Sequence, residues 1–357
     1  MSELKKKNLF IEINESQIII AAGIYDEELN FSIIDKKIIF LTKKDDQEIL
    51  DNNVNELKKG INEVEKNINY QFENANVIID QSHECINLTG FKKLNGNQIL
   101  SDDISYILND IKSKLLDSEK DKQIIHLFNT KYLLDNKQIK NLPIGLCGDF
   151  YSHQLTFFLI KNNEIKDLKT LFNKCNLDIN KIILKSFSDG IEIINRYKND
   201  TFVKIQIGTD EITLSFFFES SFCFSQKFNF GSDIILKDIS KVCSLEISTI
   251  QKIISGTSFE ISDKNLYVDK KYFDENSYRK ISLNHIMEIS SARIEELINI
   301  ILNKNKNLYD LADKEVALYF EFEDENILNK FNFIFKNNLK KYKFNILKPK
   351  EEDPLES

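Results

Sequence analysis

Five cysteines and four histidines are the side chains of this chain best suited to metal binding or nucleophilic chemistry, and their spacing suits neither. Cys85, Cys147, Cys175, Cys223 and Cys243 lie far apart with no C-x-x-C pair, and His83, His126, His153 and His285 are equally scattered. Structural metal sites draw ligands in closely spaced pairs, so no metal is expected, and free, mostly buried thiols in a reducing cytoplasm are the better reading. No Ser, Cys or carboxylate constellation points at His126, which reads as a structural histidine. No catalytic residue is assigned. Glycine is scarce, at 10 of 357 residues. Phosphate-cradling loops depend on glycine for close backbone approach, so such loops can be few here.

The net charge of −8 argues against general nucleic-acid binding, which needs an excess of Lys and Arg on one face. With 42% hydrophobic and 29% charged residues the composition is that of a globular protein. Its excess of Ile, Lys, Asn and Phe reads as the imprint of an AT-rich genome. No apolar stretch follows Lys5–Lys7 as a leader would, and no run approaches the ~20 residues of a membrane span. A cytoplasmic location follows as the expectation.

The elements that must position any site begin with a strand–turn–strand. Residues 8–13 and 17–23 are short apolar runs around the turn Asn14-Glu15-Ser16, and residues 28–41 continue the meander. Val54, Leu57, Ile61, Val64 and Ile68 recur at helical spacing over residues 51–69. The same order returns after residue 200: strands at 202–207 and 211–218 flank Gly208-Thr209-Asp210, a third strand spans 222–230, and a helix covers 233–242. Ile11-Glu12-Ile13 overlays Ile205-Gln206-Ile207, and Ile18 to Ile20 overlays Ile212 to Leu214. A period this long is no solenoid; it points to a duplicated lobe, with two unrelated meanders as the alternative. Between the repeats, a helix at 102–116 capped by Ser101 or Asp102, strands at 123–128, 154–160 and 182–184, and helices at 166–175 and 190–197 are expected. After them come helices at 248–255, 283–303 and 327–342, with strands at 316–320 and 344–347. A frayed tail follows at Pro349, Glu351-Glu352-Asp353 and Pro354.

Five segments in order carry a family resemblance. Ile125-His126-Leu127-Phe128 through Tyr132-Leu133-Leu134-Asp135 is similar to a "hydrophobic-His…Tyr…Asp" segment. Leu142-Pro143-Ile144-Gly145-Leu146-Cys147-Gly148 is similar to "Pro-hydrophobic-Gly-Met-x-Gly". Phe230 to Ile239 resembles "Gly-Gly-x-x-Ile-Thr-x-Asp-Ile", Ser244 to Gly256 an "Ala-Glu-x-x-Lys" helix, and Ile289 to Leu297 an "Ile-x-x-Arg-x-x-Glu-Ile" helix. No single motif is highly specific; together, in this order, they resemble the FtsA family of actin-like bacterial cell-division proteins over nearly the whole chain. The resemblance implies an α/β fold of two actin-like lobes, duplicated in the ribonuclease H manner, with an inserted small α+β subdomain. It divides the chain into a first lobe at residues 1–84, the insertion at 85–160, a return at 161–200, a second lobe at 201–256, an outer subdomain at 257–314, the second lobe's completion at 315–348 and a disordered tail at 349–357.

The departures from the family are as telling. Actin-like ATPases open their first hairpin with Asp-hydrophobic-Gly-Thr/Ser, whose Asp holds the metal's waters. Here it reads Glu12-Ile13-Asn14-Glu15-Ser16, placing a carboxylate at Glu15 where phosphate would sit. The second hairpin, Asp-Ile-Gly-Gly-Gly-Thr-Thr-Asp in the family, is Gln206 to Thr213 here. The glycine loop for adenosine is matched to Tyr319-Phe320-Glu321-Phe322, whose bulk would fill the nucleobase space, and the Glu of "Glu-x-x-Lys" is Thr249. Ser16, Gly208, Thr209, Gly231 and Lys252 are the residues left to hold ATP and Mg²⁺, which the resemblance alone implies; no cofactor is expected.

The implied role is an adaptor without hydrolysis, linking the FtsZ ring to the inner membrane or to later division proteins. The outer subdomain would bind the FtsZ C-terminal peptide, with Arg293 and Glu296 as candidate contacts, although Arg293 can also make solvated pairs with Glu295 and Glu296. The insertion would mediate self-association or contact later partners. Membrane contact stays open: the lysine-rich, amphipathic segment 326–350 either packs on its own sheet or binds anionic lipid. The family's separate terminal amphipathic helix has no counterpart in Glu352–Ser357. The rival is an active actin-like ATPase of the pilus-assembly or cell-shape type; a scaffold without a division role is a second.

Overall fold

The computed structural model describes residues 7–14, 17–26, 31–41, 46–80, 83–257, 266–273, 278–311 and 316–347. The turn residues Glu15 and Ser16 and the tail from 348 onward lie outside the described residues. The chain forms two compact units, Met1–Lys198 with Ser220–Phe224, and Asn199–Glu219 with Ser225–Ser357.

In the first unit β1 (Lys7–Ile13), β2 (Gln17–Tyr25) and β3 (Phe31–Phe40) form the meander, α1 (Asp46–Ile68) crosses, and β4 (Asn74–Ile79) returns parallel to β1. Alternation drives it: Leu9, Ile11, Ile18, Ile20 and Ala22 are buried, and Leu57, Ile61 and Val64 of α1 are buried too. The insertion follows as β5 (Glu84–Lys93), α2 (Ser101–Ser118), β6 (Lys122–Leu134), β7 (Lys137–Ile139) and β8 (Phe150–Lys161), a separate sheet in the order β5-β8-β6-β7. Ile104, Ile107, Ile111 and Leu115 of α2 bury Tyr151, Leu155, Phe157 and Leu159 of β8. On the other face Phe158 stacks on Phe222 at 4.2 Å. The chain then re-enters the first sheet through α3 (Asn162–Lys174), β9 (Asp178–Leu184) and α4 (Lys185–Tyr197), giving the order β3-β2-β1-β4-β9.

The second unit repeats this plan. β10 (Phe202–Ile207), β11 (Ile212–Phe218), β12 (Ser221–Phe228), α5 (Asp233–Cys243), α6 (Ile247–Gly256), α7 (Leu283–Ile298), β13 (Ala317–Phe322), α8 (Glu325–Leu339) and β14 (Phe344–Ile346) give the sheet β12-β11-β10-β13-β14. The register repeats as well: Ile11↔Ile20 and Ile11↔Val77 in the first sheet correspond to Ile205↔Leu214 and Ile205↔Phe320 in the second. The overlay of the two hairpins is therefore a true duplication.

Four local expectations need correction. Ser101 and Asp102 lie inside α2; the N-cap position is Leu100, whose N–H donates to the Asp103 carboxylate at 2.9 Å. The helix expected over 283–303 ends at Ile298 and gives way to a π-turn, Asn299–Asn303. Tyr319-Phe320-Glu321-Phe322 is not a loop: it lies in β13, where Tyr319, Phe320 and Phe322 are core. The apolar helix of the lysine-rich segment ends at Leu339, short of Tyr342. Its face is packed, with Ile327, Phe331, Ile334, Phe335 and Leu339 buried and Phe335 at 4.9 Å from Phe322. Among the described residues no helix is long and apolar enough to cross a membrane.

Asparagine does much of the work that glycine leaves undone. Asn69, Asn95, Asp135, Asn136 and Asn176 adopt positive φ, which Asn and Asp tolerate best after glycine.

Candidate functional site

The first hairpin turns on Asn14, whose N–H donates to Gln17 O at 3.1 Å while its side-chain oxygen accepts from Gln17 N at 2.8 Å. One residue before the end of β1, the Glu12 carboxylate meets Lys185 Nζ at 2.8 Å, and Lys185 also reaches Asp189 at 3.5 Å. Lys185 is the first residue of α4, and His126 Nε2 accepts the N–H of the preceding Leu184 at 3.1 Å. An acceptor nitrogen carries no proton, so His126 must stay neutral to hold this helix start. Burial, with His83 nearby, pushes its pKa down to about 4. His126 thus positions Lys185 and, through it, Glu12.

The second hairpin is closed by α5 and by its own acids. Gly208 N donates to Glu211 O at 2.9 Å, Ser232 N to Gly208 O at 2.8 Å, and Asp233 N to Thr209 O at 3.0 Å. The first N–H groups of α5, which in a phosphate site would face the anion, are therefore spent on turn carbonyls. Gly231 is required for this approach, because a Cβ there would fall well inside contact of the Gly208 and Thr209 backbone. A Cβ on Gly208 would sit 2.8 Å from Glu323 Oε2, so this carboxylate covers the turn. Gln206 Nε2 donates to the other Glu323 oxygen at 3.2 Å. Lys237 pairs with Asp233, which raises the lysine's pKa through a hydrogen bond and charge, with Asp210 adding to it. Lys227 pairs with Glu211 at 2.5 Å, and the buried Lys204 with Glu321 at 2.7 Å.

The structure thus brings Gly208, Thr209 and Gly231 together. Lys252 lies exposed on α6, and Ser16 lies outside the described residues. Among the described residues no cluster of His, Cys, Asp and Glu could hold a metal. Arg293 of α7 binds Asp238 of α5 through Nε and Glu296 through Nη1 at 2.7 Å, so it ties two helices together beyond its own turn. Lys185, Glu323 and Lys204 were missed by sequence reasoning. Lys185 had a signal, a cation at the end of a strand and four residues before Asp189; Glu323 had only its place directly after a strand.

No family model matches the chain. It is similar to the cell division protein FtsA of Buchnera aphidicola subsp. Schizaphis graminum (strain Sg), 25% identical over 236 residues, which are 63% of this chain and 55% of that protein. The FtsA of Buchnera aphidicola subsp. Acyrthosiphon pisum (strain APS) is 20% identical over 247 residues, 66% and 57% of the two chains. The chain spans little more than half the length of these relatives. Among solved structures, one described as the PilM-PilN type IV pilus biogenesis complex aligns with a TM-score of 0.57 at 8% identity, over 97% of this chain and 89% of that one. A nucleotide-free diol dehydratase-reactivating factor aligns at 0.51 and 8% identity, over 95% of each chain. At such identities the likeness is one of fold. With the duplicated sheets and the inserted subdomain in place, this chain has the actin-like ATPase fold and resembles FtsA in sequence.

Proposed function

We propose that this chain is a cell-division adaptor of the FtsA kind that works without turning over ATP. The observation that carries the reading is the second hairpin. Its turn carbonyls consume the first N–H groups of α5, and Glu323 lays a carboxylate over Gly208 where an anion would have to enter. Placing polyphosphate against Glu323, Asp210 and Asp233 is unfavourable, by several kcal/mol if partly buried. The sequence similarity to FtsA supports the division role, with the FtsZ tail docking near α7 and the protein peripheral on the cytoplasmic face of the inner membrane.

Calorimetry with ATP and Mg²⁺ tests the first part: saturable binding in the low-micromolar range, or steady turnover, would favour the rival ATPase. Co-pelleting with FtsZ filaments and liposomes tests the second. Arg293→Glu is expected to weaken an FtsZ tail peptide by on the order of 1 kcal/mol, with melting recorded alongside to separate lost contact from a loosened α7. Unchanged affinity removes Arg293 and its partner Glu296 from the interface. Because the apolar face of α8 is packed, liposome binding is expected to vanish in moderate salt. Salt-resistant binding lost in Phe335→Ser would show that α8 swings out.

A further inference from the structure

We infer that Lys185 is a built-in replacement for a divalent cation at the first hairpin, so that the first unit carries its own counter-ion and admits no metal there. The inference deepens the adaptor reading and rests on it, because a hairpin neutralised in this way has no use for the magnesium of a nucleotide.

Three observations on the chain support it. Glu12 lies in the middle strand of its sheet, opposite Ile19 on one side and Ile78 on the other. Its side chain is only 17% exposed and that of Asp189 15%. Two carboxylates in such surroundings demand a cation, since an unpaired half-buried charge is costly. Second, Lys185 supplies it with one ammonium at 2.8 and 3.5 Å, its donors directed to both acids from the start of a helix that His126 holds in place. Third, the second unit provides an internal control. The residue in register with Glu12 is Gln206, which is neutral, and Gln206 pairs with a carboxylate rather than a cation. The cation is present where the carboxylate is present. Magnesium keeps most of its water and takes one or two carboxylates, so Glu12 and Asp189 would suit it only if the ammonium were gone.

The test uses the full chain, with Mn²⁺ alone as probe, followed by melting and by electron paramagnetic resonance. Wild type is expected to melt at the same temperature with and without millimolar Mn²⁺. Lys185→Met is expected to melt lower and to recover by several degrees as Mn²⁺ is added. Glu12→Gln/Lys185→Met, which leaves Asp189 as the one carboxylate of the pair, should regain part of the lost stability and respond little to Mn²⁺. Lys185→Arg keeps a cation and should stay indifferent as well. A folded Lys185→Met with no response to Mn²⁺ overturns the proposal. So does a wild-type response that Glu12→Gln abolishes. If Lys185→Met fails to fold, the double variant decides: equal failure there means that packing, not charge, was lost, and overturns the proposal. ATP turnover by wild type would sink the adaptor reading, whereas this inference falls only on the Mn²⁺ results.

Discussion

The two central hairpins of this molecule share a register residue for residue and share almost nothing of their polar chemistry. Ile11, Ile13, Ile18 and Ile20 correspond to Ile205, Ile207, Ile212 and Leu214, each pairing across the same ladder. Where the first hairpin carries an acid paired with a lysine, the second carries an amide paired with an acid. Where Phe10 of β1 meets Phe31, its register mate in β10 is Lys204, buried against Glu321. The apolar side of the ladder specifies the fold, because a slip of one residue would turn every buried side chain to the wrong face. The few polar positions carry the chemistry, and they differ between the two copies.

The largest expected break falls on a glycine. In Gly231→Ala the new methyl would meet backbone, the Gly208 and Thr209 carbonyls, which cannot yield without undoing the closure of α5 on the turn. A loss of about 3 kcal/mol is expected in urea unfolding. Gly60→Ala in α1 is the counterpart in the first unit. Its methyl would meet only the tips of Ile20 and Ile39, at 2.6 and 2.7 Å, and these can rotate away. The helix gains about 1 kcal/mol from alanine, so the net change should be small. Equal losses at both glycines would erase the distinction between the two helix–hairpin contacts.

Acid separates the units next. The first holds His126 and His153, both pushed down to about 4 by burial, with His153 Nε2 bonded to Asn129 Oδ1 at 2.9 Å. The second has only His285, which is exposed. A folded pKa below the unfolded value of about 6.5 means that the unfolded chain binds protons first. Stability is therefore full above pH 6.5, falls between 6.5 and about 4, and levels off below. On the order of 2 kcal/mol per histidine is at stake, less for the partly exposed His126. Hydrogen exchange should show β8 and β9 losing protection before β10 and β13. His126→Gln, which can still accept from Leu184 N, should make the decline shallower; a decline of equal steepness in both units would refute this account.

Much of the fold was legible because alternation and helical spacing are physical necessities. The duplication, α1, β10 and β11 all read directly from buried positions in step. β5 is hard to read for a specific reason: Ile86 and Leu88 pack inward in the ordinary alternation, but the strand then presents Gly90 to Ile107 and Ile111 while Phe91 is 76% exposed, so the pattern inverts at that step. The start of α4 at Lys185 was missed because its first turn is polar. The candidate site was less legible. Gly208 and Gly231 stood out as rare glycines, but Glu323 and Lys185 act through contacts across many residues of sequence, which composition and periodicity do not encode.

A smaller effect is expected from Arg293→Ala. α5 closes on the second hairpin through its first turn, and Arg293 ties α5 to α7 through Asp238, a hydrogen bond that raises the arginine's pKa further. A partly buried charged bond of this kind contributes about 1–2 kcal/mol. The loss should appear as faster amide exchange at Ser232 and Asp233, whose N–H groups close the turn, with none at Gln17. Exchange unchanged at both would mean that α5 is held by its apolar face alone.

The smallest effect is expected where intuition would put a large one, at the buried lysine of β10. Lys204 is 4% exposed and its partner Glu321 36%, so the pair straddles the edge of the core. Removing one member of a fully buried pair costs several kcal/mol because the survivor is stranded, whereas replacing a buried charge by a well-packed apolar residue is often neutral. Lys204→Met combines the second case with a survivor that can turn to water. The thioether fills the space of the lysine stem, and Glu321 becomes a solvated surface carboxylate. The change in stability should therefore stay within about 1 kcal/mol. Lys185→Met at the first hairpin, which removes the ammonium that Glu12 and Asp189 share, should lose clearly more. A loss at Lys204→Met as large as at Lys185→Met, measured side by side in urea, would show that Glu321 cannot escape the core and that the two hairpins depend on their lysines alike.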